Sequence, residues 1–119
     1  MKNQVKLAIL HGSRATGKAH KNSDWDVAVL AEKKLGWDEI AVQREYFAKR
    51  LKVPEEKIDI ADLKIASPLL QSEAAKKGRL LFGQESQFLK FKIFAWKHYL
   101  ATLKFHAFRE HFLRARFNQ

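Results

Sequence analysis

Asp24-Trp25-Asp26-Val27-Ala28-Val29-Leu30 is the stretch on which the fold turns. It alternates and is bounded by polar residues, so it reads as a β-strand. Residues two apart on a strand share a face, so Asp24 and Asp26 point together while Trp25, Val27 and Val29 point the other way, into a core. Two carboxylates side by side repel each other unless a cation lies between them. Magnesium suits that place, because it takes one or two carboxylates and leaves the rest of its shell to substrate phosphates. The plain alternative is a solvent-facing Asp-x-Asp at a loop edge.

Upstream, Val5-Lys6-Leu7-Ala8-Ile9-Leu10 is a β-rich apolar run that stops at Gly12, a first and largely buried strand. Ser13 to Ser23 is small and polar, a turn with at most a short helix. Glycine at 12 lets the backbone come close to a phosphate, and amides at the turn into a short helix would point at it. A simple strand-ending turn is the other reading. Downstream, Asp38 is expected to cap a helix running to about Leu51, with Ile40, Tyr46, Phe47 and Leu51 on one side. Lys57–Leu63 reads as a third strand. There Asp59 shares its face with Ala61 and Leu63, and Asp62 shares that of Ile58 and Ile60. Either acid can complete a three-carboxylate site, of the kind that holds two metals against the attacking and leaving oxygens of an in-line displacement. Ser67-Pro68 starts a helix that ends near Lys76-Lys77-Gly78. Arg79–Phe82 is a short fourth strand. From Glu85 to Phe117 no proline or glycine interrupts the chain, which predicts one long helix, or two with a slight break.

The 119 residues suffice for one domain, and 46% apolar content for a core. There is no cysteine, which excludes disulfides and thiolate metal sites. The N-terminal apolar run is too short to span a membrane and lacks a signal-peptide pattern, so a cytoplasmic protein is expected. Lys plus Arg number 23 against 13 acids, a formal charge of +10, which points to an anionic partner such as nucleotide, nucleic acid or acidic protein. Gly12 to Ala19 nearly fits the phosphate loop of nucleoside triphosphatases. Ala19, however, replaces the metal-binding hydroxyl, and the strand at Asp24 leaves no room for the helix that must follow. The five histidines show no zinc-type pair at four-residue spacing.

Residues 85–117 are dense in aromatics: Phe88, Phe91, Phe94, Trp96, Tyr99, Phe105, Phe108, Phe112 and Phe117. With Leu89, Ile93, Leu100, Leu103 and Leu113 they cover more than one helical stripe. One stripe can pack on the sheet, and the rest predicts an interface with a partner or a second copy. A hairpin burying both stripes is the alternative. The interleaved Lys and Arg also permit RNA binding by stacking and phosphate contact.

Gly12-Ser13, ten intervening residues and Asp24-Trp25-Asp26 together resemble the motif of DNA polymerase β-type nucleotidyltransferases. His11-Gly-Ser-Arg-Ala-Thr-Gly17 with Asn22-Ser-Asp-Trp-Asp-Val-Ala-Val29 is similar to their small prokaryotic branch, the minimal nucleotidyltransferases paired with HEPN-domain proteins in toxin–antitoxin systems. Ile58–Leu63, Ser67–Leu70 and Gly78–Phe82 follow the same branch, and the likeness covers roughly residues 5–83. The resemblance implies an α/β (α+β) fold, a mixed sheet with helices mainly on one face. Residues 1–84 would form the nucleotidyltransferase core and 85–119 a C-terminal helical extension. It also implies that Gly12 and Ser13 hold the triphosphate of ATP and that Asp24 and Asp26 bind magnesium, two ions being expected. Asp59 would be the third carboxylate, near the acceptor hydroxyl. AMP would then pass from ATP to a tyrosine hydroxyl of the HEPN ribonuclease and silence it. Lys18, His20 and Lys21 depart from the pattern by making the loop unusually basic. Two readings compete with this enzyme: an antitoxin acting by contact alone, and a nucleic-acid binder using the basic aromatic tail.

Overall fold

Successive residues of β1 (Val5–His11) and β2 (Trp25–Ala31) are buried on alternate sides, so one sheet carries two cores. A computed structural model describes residues 3–117, and Met1, Lys2 and residues 118–119 of the expected extension lie outside the described residues. The strand order is β3-β2-β1-β4, with β3 at Ile58–Asp62 and β4 at Arg79–Phe82. β1 runs antiparallel to β2 and β4, whereas β2 and β3 are parallel. A parallel pair needs a crossover, and α2 (Trp37–Leu51) supplies it.

On one face Ala8, Leu10, Val27, Val29 and Ile58 pack with Phe47 and Ala48 of α2. On the other, Leu7, Ile9, Ala28 and Leu63 meet Ala74 and Ala75 of α3 (Pro68–Lys77) and Phe88, Phe91 and Ala95 of α4 (Glu85–Phe117). The mixed α/β architecture and the long C-terminal helix are those expected. α3 and α4 share a face, and α2 covers the opposite one because the even residues of β1 are as apolar as the odd ones.

Local chemistry sets the helix ends. Ser67 Oγ accepts the Leu70 N–H at 3.1 Å, with Pro68 in the first turn. α2 differs from expectation at its start: Gly36 is the cap, Asp38 lies inside the first turn, and Glu39 reaches back to accept the Gly36 N–H at 2.9 Å. Asp38 still favours the helix, as an acid near its positive end. Tyr46 is half exposed while Phe47 is fully buried, because adjacent helical residues lie about 100° apart and cannot share one stripe.

α4 is one continuous helix of 33 residues, neither broken nor folded into a hairpin. Besides its buried aromatics it is anchored by Gln71, whose amide donates to Leu63 O at 2.9 Å and whose Oε1 lies 2.9 Å from His98 Nδ1. Beyond Leu100 no described residue of α4 is buried. Phe105, Phe108 and Phe112 stand 63%, 68% and 53% exposed; the side chain of Phe117 lies outside the described residues. The projecting half raises the radius of gyration to 17.1 Å, against about 13–14 Å for a compact chain of this length. No described helix is long and apolar enough to cross a membrane.

Candidate functional site

Three strand ends meet at one edge of the sheet. His11 closes β1, Asp26 lies at the start of β2 and Asp59 at the start of β3. The antiparallel register sets His11 opposite Asp26, and the parallel register sets Asp26 opposite Asp59. Directly paired residues project on the same side of a sheet, so the three form one transverse row. Asp24 sits in the turn just before β2, exposed, rather than inside the strand.

The row is electrostatically tense. Burial pushes the Asp26 carboxyl above its ordinary range; the charges of Asp59 and Asp24 add to that rise, and His11 opposes it. Burial likewise pushes the His11 imidazole below its ordinary value, against the pull of Asp26 and Asp59. His11 Nε2 is buried without a hydrogen-bond partner. Among the described residues no three acidic, His or Cys side chains converge closely enough to cage a metal alone. A row of carboxylates completed by phosphate oxygens is nonetheless an arrangement magnesium accepts.

Gly12 is needed here for two reasons. Its φ is 73°, and a Cβ on it would run into the Asp26 carboxylate. It opens α1 (Ser13–Thr16), a single turn whose first amides have no intrahelical partner. That turn is closed by Gly17 in the left-handed conformation, and β2 begins before any further helix, so the near match to a phosphate loop has no helix behind it. Arg14 holds the following basic segment. Its guanidinium stacks 4.6 Å over Trp25 and donates to Ser23 O at 2.9 Å and Lys21 O at 3.4 Å.

The two acids of β3 have different surroundings. Asp59 is exposed beside Asp26. Asp62 is buried, and its carboxylate accepts the N–H groups of Leu35 at 2.8 Å and Lys64 at 2.9 Å. It ties the end of β3 to the segment entering α2. Sequence reasoning passed over His11 as a site residue. Its signal was parity, since it shares a face with Leu7 and Ile9 and stands directly before Gly12.

A model of the polymerase beta nucleotidyltransferase domain matches residues 1–87. The chain belongs to that family. Among nucleotidyltransferase relatives, the protein adenylyltransferase MntA of Aphanizomenon flos-aquae is 33% identical over 74% of this chain and 64% of its own length. The protein adenylyltransferase MntA of Shewanella oneidensis is 35% identical over 69% of this chain and 57% of its own. The chain thus spans less than two thirds of the length of these relatives. A solved toxin–antitoxin structure with AMP-PNP superposes with a TM-score of 0.72 at 26% identity, over 92% of this chain and 86% of that one. The family match ends at the first turn of α4, so most of the aromatic helix lies beyond it.

Proposed function

We propose that this nucleotidyltransferase is a protein adenylyltransferase, which moves AMP from ATP to a tyrosine hydroxyl of a HEPN-type ribonuclease toxin and so acts as its antitoxin in the cytoplasm. The observation that carries the reading is the pairing of Asp26 with Asp59 across parallel strands, with Asp24 beside them and Gly12 pressed against Asp26. The similarity to two protein adenylyltransferases and to a toxin–antitoxin structure with AMP-PNP supports the choice of substrate and partner.

In this reading Gly12 and Ser13 contact the triphosphate through the backbone of the α1 turn. Asp24 and Asp26 would hold magnesium: the Asp26 carboxyl, partly buried and crowded by two acids, is relieved by a cation. When bound, magnesium supplies neutralisation of the charge that builds on the phosphoryl and leaving oxygens. Asp59, exposed on the edge strand, takes the proton of the acceptor hydroxyl. The acceptor oxygen bonds to the α-phosphorus, the bond from that phosphorus to the bridging oxygen breaks, and pyrophosphate leaves. Asp62 is spoken for by two backbone amides and takes no part. Residues 1–84 are the core of this activity. Residues 85–119 are part of the same domain near Phe88 and Phe91, and an interface element farther out.

Incubation with labelled ATP and magnesium, with and without a HEPN-type ribonuclease as candidate partner, tests the reading. Label on that partner, lost in Asp26→Asn, is the expected result; label retained in both Asp24→Asn and Asp26→Asn overturns it. The exposed aromatics of α4 favour a second reading, a non-catalytic antitoxin that neutralises by contact. Protection of the partner by an Asp24→Asn/Asp26→Asn double variant would establish that instead.

A further inference from the structure

Arg14 grips both chain neighbours of Asp24. Its Nη2 donates at 2.9 Å to the carbonyl of Ser23, which precedes that acid. The same guanidinium lies 4.6 Å over the ring of Trp25, which follows it. A longer bond, 3.4 Å to Lys21 O, reaches back into the turn. Asp24 itself has no place in the ladder: β2 begins at Trp25, opposite Ile58 of β3, and its pairing with β1 ends at Asp26. Other contacts hold the turn only upstream of Asp24. His20 N–H donates to Ser23 Oγ at 3.0 Å, and Lys57 Nζ to Asn22 O at 3.3 Å. An arginine serving as surface charge would extend into water or meet an acid. This one is half-buried, and the ion pairs among the described residues all lie elsewhere, on α2, α3 and α4. Nor is it among the charges that shift the Asp26 carboxyl. Its donors and its flat face are spent on the chain around Asp24, a task that suits a rigid planar fork.

We infer that Arg14 is a positioning residue for Asp24: by bonding Ser23 O and stacking on Trp25 it fixes the backbone on both sides of that acid, and so keeps its carboxylate beside Asp26, where the pair takes a divalent cation. This role rests on the reading of Asp24 and Asp26 as the cation-holding pair. Like charges so close repel, and an exposed acid in an unsupported turn relieves the repulsion by moving away. A cation would then have to gather its ligands and bear the entropy of ordering them, which a turn held in advance avoids. Groups that support metal ligands from behind govern affinity in this way.

The test is Mn2+ affinity, read by electron paramagnetic resonance on the full chain with AMP-PNP, for the unmodified protein, Arg14→Met, Arg14→Lys and Asp24→Asn. Methionine packs on Trp25 without donors, and lysine keeps the charge without the fork. Both Arg14 variants are expected to weaken Mn2+ binding about 10–100-fold, with melting temperatures close to that of the unmodified chain. Full affinity in Arg14→Met overturns the proposal. So does full affinity in Arg14→Lys beside a loss in Arg14→Met, because charge alone then suffices, as in a direct contact to phosphate. A loss of affinity that comes only with a lowered melting temperature marks general support of the fold and overturns it as well. Nitrogen-15 NMR of the arginine side chains needs no variant: separate, slowly exchanging Nη signals are expected for Arg14 in the cation-free chain. A single averaged signal, as from a freely rotating guanidinium, overturns the proposal. Failure of the unmodified chain to bind Mn2+, or undiminished binding in Asp24→Asn, removes the carboxylate-pair reading itself, and the role of Arg14 with it.

Discussion

The strand edge at His11, Asp26 and Asp59 and the outer half of α4 are both unlike an ordinary protein surface, in opposite ways. At the edge, burial penalises the charge of His11 and of Asp26. The outer helix spreads Phe105, Phe108 and Phe112 where water surrounds them. In the proposed reading the first serves a cation and phosphates, and the second a macromolecular surface. Strain at the edge concerns chemistry, and exposure on the helix concerns recognition, so changes in the two regions should separate activity from binding.

The largest separation is expected from Asp26→Asn. Transfer should fall at least about 10²–10³-fold, the scale of removing one preorganised electrostatic partner, with partner binding intact. The same variant should be no less stable than the unmodified chain at neutral pH. A carboxyl whose folded-state pKa is raised holds extra protons in the fold, so its contribution to stability falls as pH rises from its unfolded value through the raised one. Thermal melts at pH 4 and pH 7 should therefore show the variant gaining on the unmodified chain at the higher pH. A lower melting temperature at pH 7 would assign Asp26 a structural role.

Phe91→Ala probes the inner half of α4, where Phe91 is buried against the sheet. It should cost about 3–5 kcal/mol in denaturant titration. A smaller loss, like that of an exposed position, would mean that the helix is not anchored there. Asp62→Ala should come next, at about 1–3 kcal/mol, since the buried Leu35 N–H loses its acceptor. Asp59→Asn should leave stability unchanged and reduce transfer, and the reverse pattern would exchange the roles of the two acids. Smallest in stability is the triple change of Phe105, Phe108 and Phe112 to serine. Each position should shift unfolding by no more than about 0.5 kcal/mol, while capture of the partner is lost. Undiminished capture would remove the outer helix from the interface.

These contrasts also mark how far the sequence could be read. The four strands, the Ser67 cap and the unbroken α4 were legible because each follows from local rules: alternation, a capping hydroxyl before proline, and no helix breaker after Gly83. Asp59 and Asp62 could not be separated in that way. Parity assigns them to opposite faces but does not say which face Asp26 shares, and that depends on a parallel register set by α2. The anchoring of Asp62 to Leu35 N–H is a contact between segments far apart in the chain. The cap of α2 was misjudged for a related reason. Asp38 is a good capping residue, but Glu39 already reaches the Gly36 amide and draws the helix start forward to Trp37. His11 was missed because its importance lies in the residue across from it, which only the register reveals.

The strand order has a kinetic consequence. A chain that emerges N-terminus first can pair β1 with β2 early, and β2 with β3 once α2 has formed, so the whole carboxylate row belongs to the portion that assembles first. The outer edge of β1 must wait for β4, and Leu7 and Ile9 must wait for α3 and α4 to cover them. During that interval an apolar strand with an open edge faces solvent, the arrangement most prone to pair with another chain. The arrival of residues 79–95 closes both openings together, so truncations just short of them should aggregate rather than yield a smaller folded domain.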